Sequence, residues 1–394
     1  MKIHTYRLTT SIKTTPEFEK KGLARYAVNV GTKCGHDCAY CSTGSLLRRH
    51  PSFKQTGERP FSRDYAIVDP DTPSRVALAA RNTPPSARGL VQLCTQVDAW
   101  SPEAQMHDLG RRCLEAILKE PGWSVRILTK NAAVVKDFDV VERYRDRVLV
   151  GLSVTAPPDN ARPISVLEPN ASSIEERIGA LTEAHRRGLR TYGMFCPLLP
   201  GISDARVQVD WLIDFAAQTD MEEIFVEPIN ARGTALQDCA EVLRWAGFKA
   251  EAAEVDAIRN QASWSRYATE LVSTVQASVQ RHFQIRQLRF LLYQSKLSTA
   301  SDLEQIRRSD RGVVWLGNSR DSETMLGTTG ETAFMDKAIA ALQAQRMVLA
   351  DQLKKLDAAL AVLTDGAQTS AVSSGRRRSK KTEAPASKGK EPRP

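Results

Sequence analysis

Three cysteines lie within eight positions near the N-terminus, at Cys34, Cys38 and Cys41, with three and then two residues between them. Thiolates this close in sequence fit one metal centre better than disulfides, and short cysteine runs of this kind hold iron–sulfur clusters. A cubane of four irons needs four ligands. Three cysteines therefore leave one iron with an open coordination position, as in catalytic rather than structural metal sites.

A zinc site or an accidental group of cysteines is the alternative interpretation of this motif. A structural zinc ion takes a fourth Cys or His ligand, and His36 and His50 are available nearby in the sequence. We favour the iron–sulfur cluster because the chain downstream of the cysteines agrees with it.

The motif Cys34-x3-Cys38-x2-Cys41 resembles the signature of the radical S-adenosylmethionine enzymes. The resemblance implies a 4Fe–4S cluster whose fourth iron is chelated by the methionyl amine and carboxylate of S-adenosylmethionine. One electron from the reduced cluster cleaves the sulfonium in this family and gives a 5′-deoxyadenosyl radical, which abstracts a hydrogen. The residue before the last cysteine lies against the adenine, a role that the resemblance gives to Tyr40.

Between Gly89 and Gly201 the chain resembles, more narrowly, the spore photoproduct lyase and DNA-repair-photolyase-like branch of this superfamily. The likeness covers roughly residues 25–235. Four groups of residues carry it. Three lie after or on predicted strands: Cys94–Glu103, Leu128–Asn131 and Gly151–Thr155. The fourth comprises Leu167–Pro169 with Glu176-Arg177 and Pro197–Gly201.

The resemblance assigns cofactor contacts to residues at the ends of these strands. Lys130 is expected to bind the methionyl carboxylate, for which a mobile cation is suited; the alternative is a solvated surface lysine. Thr95, Gln96 and Asp98 are candidates for the methionyl amine and the ribose, although Asp98 could instead cap a loop. Ser153 is a candidate ribose contact.

Cys94 ends the predicted second strand, near the point where spore photoproduct lyase has a cysteine that donates a hydrogen atom to the product radical. Cys94 is therefore a candidate hydrogen donor. The alternative is packing, since free cysteine is among the most buried residue types, and the altered spacing from Cys94 to Asp98 favours it. Cys113, Cys196 and Cys239 are expected in the core, and Glu168 is expected to pair with Arg177.

Length, charge and cysteine content restrict the class of protein and the compartment in which it is expected. The chain has 394 residues and 42% hydrophobic residues, as expected of a globular protein. Seven cysteines, three of them grouped, favour a reducing, cytoplasmic location. The N-terminus does not resemble a secretory signal, and no apolar run is long enough for a membrane span. Of the net charge of +9, +6 lies in residues 366–394.

Six strand-like segments alternate with helical ones and predict an α/β fold, a partial (β/α)6 barrel in which strand ends carry the chemistry. The radical S-adenosylmethionine family resemblance implies the same fold. Residues 51–85 are rich in Pro, Arg, Asp and Ser and predict an irregular insertion. The predicted strands are Tyr26–Val30, Gly89–Cys94, Ser124–Thr129, Val148–Val154, Arg190–Phe195 and Glu223–Val226.

The predicted organisation has five parts. An N-terminal segment (1–24) precedes the barrel (25–235), which is followed by a mainly helical extension (236–330) with a short strand at Val313–Leu316. A long helix (331–365) has apolar residues at heptad spacing between 335 and 363. It predicts a coiled coil for a second copy or a partner, or a helix packed on the parent domain. The basic tail (366–394) is expected to be disordered.

These observations support three functional hypotheses. The first is a radical S-adenosylmethionine enzyme that acts on a nucleic-acid lesion or modified base, with an electron donor of the flavodoxin or ferredoxin type. The second is radical modification of a protein or small molecule, with the long helix recruiting the partner. The third is a non-catalytic iron–sulfur sensor or scaffold, which the candidate cofactor contacts at three strand ends disfavour.

Overall fold

The structure is a computed structural model, and it describes residues 1–9 and 11–317. The predicted long helix with its coiled-coil segment (335–363) and the basic tail (366–394) lie outside the described residues. Within the described part of the chain, none of the helices has the length and apolar character of a membrane span.

The strands of the described residues are short, and most lie within segments of apolar sequence. They are β1 (Lys2–Thr5), β2 (Lys13–Thr14), β3 (Tyr26–Val28), β4 (Gly31–Lys33), β5 (Tyr65–Val68), β6 (Leu90–Leu93), β7 (Ser124–Thr129), β8 (Val148–Leu152), β9 (Gly193–Leu198), β10 (Ile224–Pro228), β11 (Leu288–Tyr293) and β12 (Val313–Leu316).

Helices separate most of these strands. They are α1 (Pro16–Lys20), α2 (Thr43–Leu46), α3 (Pro51–Thr56), α4 (Thr72–Asn82), α5 (Pro102–Gln105), α6 (Leu109–Leu118), α7 (Phe138–Arg143), α8 (Ala161–Leu167), α9 (Ile174–Arg186), α10 (Arg206–Gln218), α11 (Ala235–Trp245), α12 (Lys249–Ala257), α13 (Gln261–Val279) and α14 (Ala300–Arg308). Short 3-10 helices lie at Pro85–Ala87, Ala132–Asp137, Arg145–Arg147, Pro158–Asn160, Ile285–Gln287 and Gln294–Lys296.

Parallel strands in the order β3-β6-β7-β8-β9-β10-β11-β12 form the main layer. β8 and β9 are joined by the bridging pairs Val150–Thr191 and Ser153–Met194. Connections through helices are what parallel neighbours require. The predicted α/β barrel-type fold is confirmed.

The parallel sheet contains two strands beyond the six predicted, β11 and β12, which come later in the chain. Helices α11, α12 and α13 fill the first part of the predicted helical extension, but β11 then pairs in parallel with β10, and β12 with β11. β12 was predicted as a short strand. β11 was missed because its near-continuous apolar run cannot be told from a buried helix by periodicity alone.

The predicted irregular insertion over residues 51–85 is wrong. It contains α3, β5 and α4, and β5 lies between β1 and β4 in a second, three-stranded sheet. Prolines lie in the first turns of α3 and α4, where they fit because a backbone N–H has no partner within the helix at that position. All residues of β5 are buried, so this small sheet is a packed support for the cysteine loop that follows β4.

Side-chain alternation along the barrel strands separates an inner from an outer apolar cluster. The inner cluster comprises Leu23, Leu149, Tyr192, Met194, Phe225, Leu291 and Leu316. Tyr192 lies directly over Gly151, where a Cβ atom would come within 2.3 Å of its ring. The larger outer cluster packs the strands against the helices.

Helix α1 lies beside β12, the last strand in the order of the main sheet. Lys20 Nζ donates to the carbonyl of Gly317 at 2.9 Å, and Tyr293 donates to Glu17 at 3.1 Å. Leu23 after α1 joins the inner cluster. The N-terminal segment therefore contributes side chains to the barrel interior.

Candidate cluster and cofactor site

The cysteine loop starts directly after β4, and its three thiols border one cavity. All three cysteines are free; Cys34 and Cys38 are half-buried, and Cys41 is exposed. The cavity is also bordered by Phe53, Phe61, Arg63 and Asp238, among other residues. The structure thus brings together the three residues that the sequence predicts as cluster ligands.

The three thiols beside this cavity are compatible with one iron–sulfur cluster. Within residues 1–9 and 11–317, no three His, Cys, Asp or Glu side chains converge on one metal position. A cubane needs no such convergence, because each cysteine ligates a different iron. Of the two histidines near the motif, His50 has its Nδ1 2.9 Å from Ser52 Oγ. His36 Nδ1 lies 3.4 Å from Asp98, and His36 Nε2 is buried without a hydrogen-bond partner among the described residues.

Burial of the cysteine loop disfavours the thiolate form of its cysteines. Burial raises the pKa of Cys34 well above its usual range, and the nearby carboxylate of Glu103 adds to the effect. Burial also raises the pKa of Cys38, while Lys130 acts in the opposite direction. A positively charged metal centre supplies the charge that deprotonates such thiols.

Glu103 fixes the start of the cysteine loop. The backbone N–H of Gly35 donates to both oxygens of this buried carboxylate, each at 3.1 Å, and Ser101 donates to it at 2.5 Å. Asn170 holds the other side of Gly35 by donating to its carbonyl at 2.9 Å. Sequence reasoning gave Glu103 no role, because its contact with Gly35 spans 68 residues of chain.

Asp98 joins the ends of two neighbouring strands. Its carboxylate accepts hydrogen bonds from the backbone of Trp100 (2.8 Å), from the hydroxyl of Thr129 (2.8 Å) and from the backbone of Lys130 (2.8 Å). These contacts match the loop-capping alternative, and they occupy much of the hydrogen-bonding capacity of the carboxylate. Through them Asp98 positions the backbone of Lys130.

Thr95 and Gln96 are held at the cysteine loop by Asn29, which follows β3. Asn29 Oδ1 accepts from the backbone of both residues, at 2.9 and 3.0 Å, and its Nδ2 donates to Thr95 Oγ1. Thr43, two residues after Cys41, donates to the carbonyl of Gln96. Sequence reasoning missed Asn29, because its contacts with Thr95 and Gln96 span more than 60 positions of chain.

Lys130 projects toward the cysteine loop. Its ammonium lies 5.7 Å from the centroid of the Tyr40 ring and influences the pKa of Cys38 and of His36. It forms no ion pair with a carboxylate of the described residues within 4.0 Å. Lys130 is half-buried, so its charge is available to a bound anionic group.

Glu168 and Arg177 form the buried ion pair that the sequence predicts. Arg177 donates to Glu168, to the carbonyl of Ser153 at 2.7 Å and to that of Ser172 at 2.9 Å. Burial alone would raise the pKa of Glu168, but Arg177 and Lys130 hold it below its usual range. Tyr40 donates to the same carboxylate, so the pair orients Tyr40 and the inner-face residue Ser153.

Cys94 lies apart from the cluster cysteines. It is 2% exposed and belongs to the outer apolar cluster, and burial raises the pKa of its thiol well above the usual range. This placement matches the packing alternative. Cys113 and Cys239 are buried in the core as expected.

Cys196 departs from the expected core placement, since it is half-buried and packs against the inner cluster. Burial raises the pKa of its thiol, Glu227 acts in the same direction, and Lys21 and Lys130 act against it. Lys21 is nine-tenths buried, with its ammonium 5.6 Å from the ring centroid of Tyr293. The inner wall near Lys130 is therefore polar, a feature that sequence reasoning missed.

The buried ion pair leads to a stability prediction. Arg177→Met should lower the unfolding free energy by about 3–5 kcal/mol, because it leaves a buried carboxylate without its cation. Urea denaturation of the apoprotein measures this. Glu168→Leu/Arg177→Met should recover part of the loss, and a near-zero effect of Arg177→Met would contradict the assignment.

The cysteine loop leads to a metal-binding prediction. After anaerobic reconstitution the protein should bind about four irons and four sulfides. Cys34→Ala, Cys38→Ala and Cys41→Ala should each abolish the cluster, whereas Cys113→Ala, in the outer core, should retain it. Iron and sulfide analysis with absorption spectroscopy checks this, and stoichiometric zinc in anaerobic preparations would contradict it.

Comparison with known proteins agrees with this geometry. Residues 28–210 match the family model of the Radical SAM superfamily. An uncharacterised protein of Acidianus two-tailed virus is 25% identical over 232 residues, 57% of this chain and 73% of that protein. An uncharacterised protein of Mycobacterium tuberculosis is 23% identical over 211 residues, 53% of this chain and 60% of that protein.

Among solved structures, a variant of spore photoproduct lyase superposes with a TM-score of 0.50 and 16% sequence identity. The match covers 71% of this chain and 79% of that chain, and it supports the barrel-type fold. Residues 28–210 thus match the Radical SAM superfamily in sequence, and the similarity to spore photoproduct lyase is one of fold.

Proposed function

We propose that this protein cleaves S-adenosylmethionine reductively at a 4Fe–4S cluster held by Cys34, Cys38 and Cys41. The observation that carries the proposal is the shared cavity of these three thiols, with the ammonium of Lys130 directed toward the same loop. The cluster and S-adenosylmethionine supply the chemistry, a 5′-deoxyadenosyl radical, and the protein supplies position and exclusion of water.

The chain's own residues would orient the cofactor. Lys130 is proposed to bind the methionyl carboxylate. Tyr40, fixed by its hydrogen bond to Glu168, is proposed to lie against the adenine. Thr95 and Gln96 are proposed to contact the methionyl amine and the ribose, on a loop that Asn29 fixes.

Ser153 and Asp98 complete the proposed contacts to the amine and the ribose. Ser153 is buried beside Met194, on the inner face of the sheet. Asp98 also acts by positioning, because it holds the backbone of Lys130. The hydrogen-donor role of Cys94 remains a prediction, against which its burial in the outer cluster counts.

The proposed substrate is a nucleic-acid lesion or modified base, as the branch resemblance and the basic tail suggest. The alternative, a protein or small molecule recruited through the 335–363 helix, is favoured by a body that carries only +3 of the net charge. The proposed electron donor is of the flavodoxin or ferredoxin type, and the proposed location is the cytoplasm.

The cofactor proposal is tested on Lys130. Lys130→Ala should leave the cluster intact and weaken S-adenosylmethionine binding by about 1.5–3 kcal/mol, the range for a hydrogen bond to a charged group. Anaerobic calorimetry measures the affinity, and dithionite assays measure 5′-deoxyadenosine. Lys136→Ala, an exposed lysine six residues on, is the matched control. Equal affinity of the two variants would make Lys130 a surface lysine, and no 5′-deoxyadenosine from the cluster-loaded wild type would overturn the proposed function.

The nucleic-acid proposal is tested on the tail. Deleting residues 366–394 should weaken binding to DNA of any sequence and flatten its salt dependence, because fewer phosphates are neutralised. Fluorescence anisotropy with a labelled duplex at several salt concentrations measures both effects. Cluster content and 5′-deoxyadenosine production should stay at wild-type levels. Unchanged DNA affinity would count against a tail that binds DNA and would favour partner recruitment.

A further inference from the structure

A dense group of positive charges follows the cysteine loop directly. Between Ser42 and Arg63 the chain has five Lys or Arg and one acidic residue, Glu58. All five basic side chains are exposed. We call them the basic collar: Arg48, Arg49, Lys54, Arg59 and Arg63.

The collar's charge is not neutralised within the described residues. None of its five side chains forms an ion pair there, whereas Glu58 is already engaged by Lys2 at 3.0 Å and by His4 at 2.8 Å. Many other surface arginines of this protein are paired, for example Arg190 with Glu222 at 2.6 Å. An unpaired group of like charges raises the local potential and attracts an oppositely charged partner.

The collar is fixed next to the cluster ligands. Arg63 and Phe61 border the cavity that contains the three cysteine thiols. Helix α3, which carries Lys54, is capped by His50 and anchored by Phe53, which packs with Tyr65 and Ile67 in a small core cluster. The charges therefore lie on an ordered scaffold.

Two exposed apolar residues lie on the same segment. Leu46 is 52% exposed and Phe61 is 50% exposed, and the exposed Cys41 immediately precedes the segment. An apolar centre with a charged rim is the usual anatomy of a protein–protein interface, and weak redox encounters use small contact areas. The exposed end of the cysteine loop and this surface are thus adjacent.

We propose that the basic collar, together with the exposed Leu46 and Phe61 on the same segment, docks an acidic one-electron donor protein. The inference rests on the proposed function and adds the place where the electron enters. The donor would lose one electron, a cluster held by the three cysteines would gain it from the side of the exposed Cys41, and no bond would be made or broken in that step. Nucleic acid is the less favoured occupant, because Phe61 is the one exposed aromatic ring between Ser42 and Arg63, and single strands are held by several stacking rings.

The test is charge reversal away from the cluster cavity. Arg48→Glu/Arg49→Glu/Lys54→Glu should slow reduction of the reconstituted protein by flavodoxin hydroquinone about tenfold or more in low salt, since steering contributes at least this much. Stopped-flow absorption measures the rate, and calorimetry with oxidised flavodoxin should show a matching loss of affinity. The wild-type rate should fall with ionic strength, and the variant's rate should depend on it less.

The matched control reverses three exposed charges near the N-terminal ends of the barrel strands: Arg81→Glu/Lys119→Glu/Arg145→Glu. It should react with flavodoxin as the wild type does. Both variants should keep their iron content, and dithionite should reduce them and yield 5′-deoxyadenosine at wild-type rates. Absence of 5′-deoxyadenosine with dithionite would contradict the proposed function and would not bear on docking at the collar.

Three outcomes would overturn the docking proposal. The first is a flavodoxin rate that is equal in wild type and collar variant. The second is a wild-type rate that is negligible or independent of salt. The third is an equal loss in the control variant, which would show a general charge effect. Loss of affinity for a labelled single-stranded oligonucleotide, with flavodoxin reduction intact, would assign the collar to nucleic acid instead.

Discussion

Buried carboxylates hold the cysteine loop at the open ends of the barrel strands. The residues from Cys34 to Cys41 include no helix or strand, so backbone groups of the loop need other partners; the N–H of Ala39, for example, donates to the carbonyl of Leu167. Glu103 accepts from the backbone of Gly35, and Glu168 accepts from the hydroxyl of Tyr40. A buried carboxylate is costly unless it is fully hydrogen-bonded or paired. Arg177 meets this need for Glu168, and Ser101 for Glu103.

The barrel therefore determines where the three candidate cluster ligands lie. Glu103 follows β6 and Glu168 follows α8, so the loop is correctly placed only when these distant parts of the chain have packed. The same holds for Lys130, whose backbone is fixed by Asp98 from the neighbouring strand. The candidate cofactor site thus depends on tertiary packing, although its three candidate cysteine ligands lie within eight residues of sequence.

This dependence explains what the sequence could and could not predict. The grouping of the three cysteines could be predicted because their spacing carries information, and the family resemblance gave Tyr40 and Lys130 their candidate roles. Six barrel strands were accessible because apolar runs alternate with helical patterns. Asn29 and the role of Glu103 were not accessible, because each acts through a partner more than 60 positions away. The strand at Leu288–Tyr293 was missed because its apolar run lacks a distinguishing period.

The two ends of the cysteine loop lie in different environments. Cys38 feels the charges of Glu168, Lys130 and Arg177, which belong to the barrel side, whereas Cys41 is exposed beside the basic collar. Lys130 also acts on Cys196 of the inner wall. A radical formed near Lys130 would meet side chains of the barrel interior, and an electron could arrive from the collar without opening that interior. Exclusion of water from a reactive intermediate requires such a separation, and here it follows from which end of one short loop is buried.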